Sequence, residues 1–175
     1  MSALVIVHSL THTTKGLADR LADGLHAPVV DIVEHRTRPR SAAGLGIVVG
    51  AFEALTGRKA PIEPLSADPE TFDPVAIGGP VWAGRPSSPL ATALSRYAGA
   101  LRGRRVGLFC TSKGADPGVF FDRAERLLGR PAEARLHLHA GNLAGAEAER
   151  AIARFLEELG PVEPDRPAGS GTGPG

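Results

Sequence analysis

The sequence predicts an α/β domain, a five-stranded parallel sheet with helices on both faces. Short apolar runs alternate with helix-period segments along the chain, the pattern of strands joined by helical crossovers. Two runs, Val5-Ile-Val and Val106-Gly-Leu-Phe, are continuously apolar, as strands buried on both faces are. The chain has 175 residues, 42% of them hydrophobic, enough for one well-buried core rather than two.

Strands are expected at residues 3–7, 29–33, 75–77, 106–109 and 135–139. The last, Arg135-Leu-His-Leu-His139, alternates strictly between polar and apolar residues, which marks a half-exposed edge strand. Leu17, Leu21 and Leu25 recur every four residues with Asp19, Arg20 and Asp23 turned outward, an amphipathic helix. A glycine-interrupted second helix is read in Gly44-Leu-Gly-Ile-Val-Val-Gly-Ala-Phe-Glu-Ala-Leu55. Leu90, Leu94, Tyr97 and Leu101 make the third, opened by Ser88 as N-cap and Pro89 in the first turn. Asp116-Pro117 opens a fourth carrying Phe120, Ala124 and Leu127, and Ala148, Ile152, Phe155 and Leu159 line the last. Residues 1–159 read as one domain, and the Pro/Gly-rich stretch 160–175 as a disordered tail with little to bury.

Charge and composition narrow the function. With 20 basic against 19 acidic residues the net charge is +1, too balanced for a nucleic-acid footprint. No apolar run approaches a membrane span, and Met1-Ser2-Ala3 leads at once into a strand without a leader, so the expected location is the cytoplasm. Cys110 is the only cysteine, which excludes an intramolecular disulfide and suits a reducing compartment.

The most informative stretch is Val5-Ile-Val-His-Ser-Leu-Thr-His-Thr-Thr-Lys-Gly-Leu-Ala18, where an apolar strand runs through clustered hydroxyls into a helix. A helix N-terminus offers unpaired N–H groups and a positive dipole end, so hydroxyls there can complete a cage around a phosphate. Ser and Thr are also the preferred N-cap residues, and capping alone would account for them. The spacing Ser9-x-Thr11-x-x-Thr14 after a buried strand resembles the FMN-phosphate loop of flavodoxins, with His12 where the family usually carries Gly.

A second stretch, Phe72-Asp-Pro-Val-Ala-Ile-Gly-Gly-Pro-Val-Trp-Ala-Gly-Arg-Pro-Ser-Ser-Pro89, is similar to the family's third strand and its flavin-ring loop. Gly78 and Gly79 would let the backbone come close to a flat ligand, and Trp82 would lay its indole against the ring. A third, Cys110-Thr-Ser-Lys-Gly-Ala-Asp-Pro-Gly118, lies where flavodoxin-like proteins supply a second wall. Many members place a second aromatic there; this chain has none before Phe120.

The resemblance spans roughly residues 3–159 and implies a three-layer flavodoxin-like fold with strand order 2-1-3-4-5, its ligand crevice at the carboxyl ends of strands 1 and 3. It also implies bound FMN. Ser9, Thr11, His12, Thr13 and Thr14 would hold the phosphate; Pro80, Val81, Trp82, Ala83 and Gly84 the ring; Thr111, Ser112, Lys113 and Gly114 its far edge. Three function classes are open. They are an NAD(P)H-dependent FMN reductase acting on a quinone-like or other small acceptor, a one-electron carrier with a redox partner protein, and a flavin-free binding domain. The missing aromatic leaves a ring face open to a hydride donor, and the near-neutral charge departs from the acidic carriers, so the reductase is preferred.

Other residues carry plainer readings. His137 and His139 have the spacing of metal ligands on one strand face, but the solvent face of an edge strand explains them, and no metal is expected. Cys110 reads as a small core residue. Lys15 either assists the phosphate or faces solvent. Arg36, Arg38 and Arg40 read as a solvated turn, with an acidic redox partner or the 2′-phosphate of NADPH as the alternative. No catalytic Ser-His-Asp order or carboxylate pair stands out.

Overall fold

Every residue of Leu4–Val7 is fully shielded from solvent, as a strand flanked and covered on all sides must be. The computed structural model describes residues 2–35, 60–114 and 116–161. This first strand, β1, is followed by α1 (His12–Leu25), β2 (Val29–Asp31), β3 (Val75–Trp82), β4 (Arg85–Pro86), α2 (Ser88–Tyr97), β5 (Val106–Ser112), α3 (Gly118–Leu128), β6 (Ala134–His139) and α4 (Ala146–Leu159). The segment read as a second helix, the arginines at 36, 38 and 40, and residues 162–175 of the tail lie outside the described residues.

The strands run in the order β2-β1-β3-β5-β6, all parallel, with β4 antiparallel to the end of β3. Counted over the five parallel strands, this is the order 2-1-3-4-5. Alternation along β6 is real: Ala134, Leu136 and Leu138 are buried while Arg135 and His139 are exposed, and the strand forms one edge of the sheet.

Two apolar clusters sandwich the sheet. Leu4, Ile6, Ile77, Leu108 and Cys110 pack with Leu90 and Leu94 of α2 and Phe120 and Ala124 of α3. On the opposite face Val5, Val7, Phe109, Leu136 and Leu138 meet Leu17 and Leu21 of α1 and Ile152 and Phe155 of α4. The period-two alternation of side chains across each strand is what feeds both layers. Each fully buried Leu or Phe is worth roughly 1.5–3 kcal/mol of apolar transfer, so these two layers dominate the stability.

The strands differ from expectation at their carboxyl ends. β3 continues through Gly78-Gly-Pro-Val to Trp82, and β5 through Cys110-Thr to Ser112, so part of each expected loop is strand. Pro80 is tolerated because the last β1 partner of β3 is Gly78; beyond it, Gly79 and Pro80 pair only with β5, and β4 takes up the pairing from Val81. Gly78 and Gly79 do not open space for a ligand. A Cβ on Gly78 would collide with the carbonyl and ring of Phe109, and one on Gly79 would press on Leu90 and the His8 carbonyl. Their missing side chains serve strand and helix packing. Three boundaries also shift: β2 stops at Asp31, α2 ends at Tyr97 with the buried Leu101 beyond it, and the N-cap of α2 is Ser87 rather than Ser88.

Candidate functional site

β1 and β3 are neighbours, yet the chain leaves β1 toward β2 on one side and β3 toward β5 on the other. Winding therefore reverses between them, and a crevice opens at their carboxyl ends, where ligands bind in such sheets. Three segments border it.

The first is the β1–α1 turn. His8 is buried, Ser9 half-buried, and Leu10, Thr11 and His12 are exposed. Thr11 is the N-cap of α1 in extended conformation, and its side chain makes no capping hydrogen bond. The first-turn N–H groups of α1 are thus not consumed by a cap, and the positive end of the helix dipole faces the turn. Ser9 Oγ donates to the Thr11 carbonyl, and Thr11 Oγ1 donates to Thr13 Oγ1 at 3.4 Å. His12 begins the helix without a positive φ, so a histidine at this position carries no left-handed strain.

The second segment is a tight hairpin. Trp82 pairs with Arg85, and the two residues between them, Ala83 and Gly84, have φ of 49° and 77°. Two consecutive left-handed residues are what a two-residue turn needs to match strand twist. Trp82 is 8% exposed and packs edge-on to His8, with ring centroids 5.5 Å apart and planes at 85°. His8 Nδ1 is in turn hydrogen-bonded to Ser87 Oγ at 2.8 Å, both residues being buried. Neither His8 nor Ser87 is among the expected site residues. The available signal was a polar residue closing a continuous apolar strand at its carboxyl end. Beside them, Ser88 Oγ is buried without a hydrogen-bond partner among the described residues.

The third segment is the end of β5 and the loop after it. Thr111 Oγ1 meets Thr14 Oγ1 at 2.7 Å, joining the first turn of α1 to the end of β5. Ser112, on the opposite face, is hydrogen-bonded to His137 Nε2 at 2.8 Å, and the Gly114 N–H reaches the Ser112 hydroxyl at 3.5 Å. Lys113 and Gly114 are exposed.

Solved structures of known proteins share this architecture. An FMN complex of a flavoprotein from Lactobacillus acidophilus superposes with a TM-score of 0.66 at 18% identity, covering 81% of this chain and 95% of that one. A Bacteroides eggerthii protein assigned to the flavoproteins gives 0.70 at 19% identity, covering 90% and 97%. A flavodoxin from Streptococcus pneumoniae gives 0.52 at 17%, covering 91% and 97%. The fold is flavodoxin-like. No family model matches the chain, and no curated protein matches it.

Within the flavodoxin-like frame, the segments expected at phosphate, ring and far edge all lie at the carboxyl ends of β1, β3 and β5. Their hydroxyls divide into two groups. Ser9, Thr11 and Thr13 stay at or near the surface, whereas Thr14 and Thr111 are turned into the interior on each other, and Ser112 is turned to β6. Pro80, Val81 and Gly84 are half-buried and Ala83 is exposed, so the hairpin tip, rather than the indole face, meets solvent. Lys15 is held by Asp31, with Nζ 3.0 and 3.1 Å from its carboxylate oxygens, beside Asp19 at 3.9 Å. Cys110 is fully buried, and burial pushes its thiol far above the ordinary range, so it stays protonated and unreactive. Phe120 and Phe121 pack edge to face inside the core and do not cover the crevice. Among the described residues there is no cluster able to hold a metal ion, and no helix long and apolar enough to cross a membrane.

Proposed function

We propose that this chain binds FMN non-covalently across the crevice and acts as an NAD(P)H-dependent FMN reductase on a quinone-like or other small acceptor, in the cytoplasm. One observation carries the cofactor reading: a helix N-terminus left without a side-chain cap, edged by Ser9, Thr11 and Thr13, at the switch point of a flavodoxin-like sheet. The FMN complex of the Lactobacillus acidophilus flavoprotein supports it. The residues fit the group. First-turn N–H groups and surface hydroxyls would take the phosphate, the hairpin 80–84 would flank the ring, and the strand end and loop 111–114 would meet its polar edge. FMN, when bound, supplies the electron or hydride transfer, while the protein binds and orients it.

The reductase reading is supported by the composition of the loop between β5 and α3. Residues 113–118 bring no aromatic side chain, and the first aromatics after them are turned into the core. A ring face uncovered there would be reachable by a nicotinamide. The buried Cys110 thiol and the lack of any other cysteine suit a reducing cytoplasm.

Absorption of the purified protein and parallel titrations with FMN and riboflavin test the cofactor. FMN should bind more tightly than riboflavin, and Thr11→Ala with Thr13→Ala should weaken FMN by about 1.5–3 kcal/mol per lost charge-assisted bond. Equal affinities for FMN and riboflavin would remove the phosphate site. With FMN bound, anaerobic mixing with NADPH or NADH should bleach the flavin absorbance; no bleaching by either would overturn the reductase reading.

A further inference from the structure

Away from the crevice, a groove of about 630 Å³ runs between the outer side of β6 and the first turns of α4. Its volume is that of small-molecule sites. His137 and His139 of β6, Asn142 of the connecting turn, and Glu147, Arg150 and Arg154 of α4 line it, over the apolar Leu138, Ala148 and Ala151.

The groove carries an excess of positive charge. Arg150 and Arg154 are four residues apart on one helix face, and neither has an ion-pair partner among the described residues. Glu147 is the one carboxylate in the lining, while the adjacent Glu149 is committed to Arg20 at 2.5 Å. The imidazoles supply directional groups. His139 Nδ1 accepts the Gly141 N–H at 3.2 Å, which leaves its proton on Nε2 as a donor when the ring is neutral. His137 is anchored through Nε2 to Ser112.

We propose that this groove is a second binding site, for a small organic anion bearing phosphate or carboxylate groups, clamped by Arg150 and Arg154 with His139 and Asn142 as hydrogen-bond donors. The guanidiniums match the planar oxygens of either group bidentately, and the apolar floor accommodates the rest of the molecule. Through His137 and Ser112 the site touches the loop after β5. The assignment is independent of the FMN reading, because neither the clamp nor its donors belong to the crevice.

The test titrates the full chain, without added FMN, with inorganic pyrophosphate and separately with citrate, following the imidazole resonances by NMR; His139→Gln assigns its own signal. We expect saturable shifts of the His137 and His139 signals with at least one probe, and the tighter probe assigns the ligand class. Arg150→Ala with Arg154→Ala, both exposed positions, should weaken binding roughly tenfold or more, whereas Glu147→Gln should strengthen it. The proposal is overturned if shifts are absent, if sodium chloride of equal ionic strength reproduces them, or if the double variant binds as well as the parent.

Discussion

The hydroxyls of Thr14 and Thr111 lie 2.7 Å apart, both residues almost fully buried, and tie the first turn of the helix after β1 to the end of β5. One clasp therefore joins the two sides of the crevice. Replacing either residue by Val keeps the shape but strands the other hydroxyl, which costs about 1–3 kcal/mol, while replacing both removes the unpaired group. In urea denaturation, Thr14→Val with Thr111→Val should cost clearly less than the sum of the two single changes. Additive losses would show that the pair is not coupled. Because its hydroxyl is engaged here, Thr14→Val should also weaken FMN less than Thr11→Ala does.

The glycines make a sharper contrast. Gly78 sits in the middle of β3 with the Phe109 carbonyl and ring where its Cβ would be, and backbone cannot move aside cheaply. Gly78→Ala should destabilise by about 3 kcal/mol or more. Gly16 is exposed within the first helix, and a methyl group added there would meet nothing within 4 Å. Gly16→Ala should stabilise by about 0.5–1 kcal/mol. Thermal or denaturant unfolding of both variants decides this, and similar effects of the two changes would contradict the packing described.

The architecture was legible where side-chain period met burial. Continuous apolar runs marked the inner strands, and Arg135-Leu-His-Leu-His139 marked the edge, because those patterns reflect directly which faces are covered. Strand ends were not legible. Gly78, Gly79 and Pro80 read as loop residues by propensity, but the ring of Phe109 on the neighbouring strand requires Gly78, and Leu90 with the His8 carbonyl crowds Gly79; such contacts are invisible locally. The hairpin escaped for a related reason: Ala83-Gly84 is not one of the strong two-residue turn signatures, so only the pairing of Trp82 with Arg85 reveals it. At the site, the segments could be found from hydroxyl and glycine spacing. Which hydroxyls turn inward, and the His8–Ser87 bond across 79 positions, depend on tertiary packing alone.

His137 gives the fold a pH dependence of definite sign. Burial, then the neighbouring His139, hold its pKa below the ordinary 6.5, with Asp116 opposing them. As pH falls through about 6.5 the unfolded chain takes up this proton before the folded one does, so stability declines with acidification until the folded imidazole is protonated as well. Above that value the group adds no slope. His137→Gln should flatten this part of the stability profile, measured as urea midpoints on either side of pH 6.5. Identical profiles for variant and parent would place the titrating group elsewhere.

Trp82 is the only tryptophan, and its burial decides what it can report. At 8% exposure, with its ring at 85° to that of His8, the indole is packed inside the wall that residues 80–84 form. Its emission should therefore be blue-shifted before any ligand is added. FMN bound against that wall should quench the emission strongly without shifting it to the red, since the indole gains no contact with water. Trp82→Ala should cost about 3–5 kcal/mol in stability through the cavity it leaves and should weaken FMN as the wall loosens, whereas Trp82→Phe should retain most of both. Water-exposed emission in the free protein would contradict the packing, and undiminished emission at saturating FMN would remove the hairpin from the flavin site.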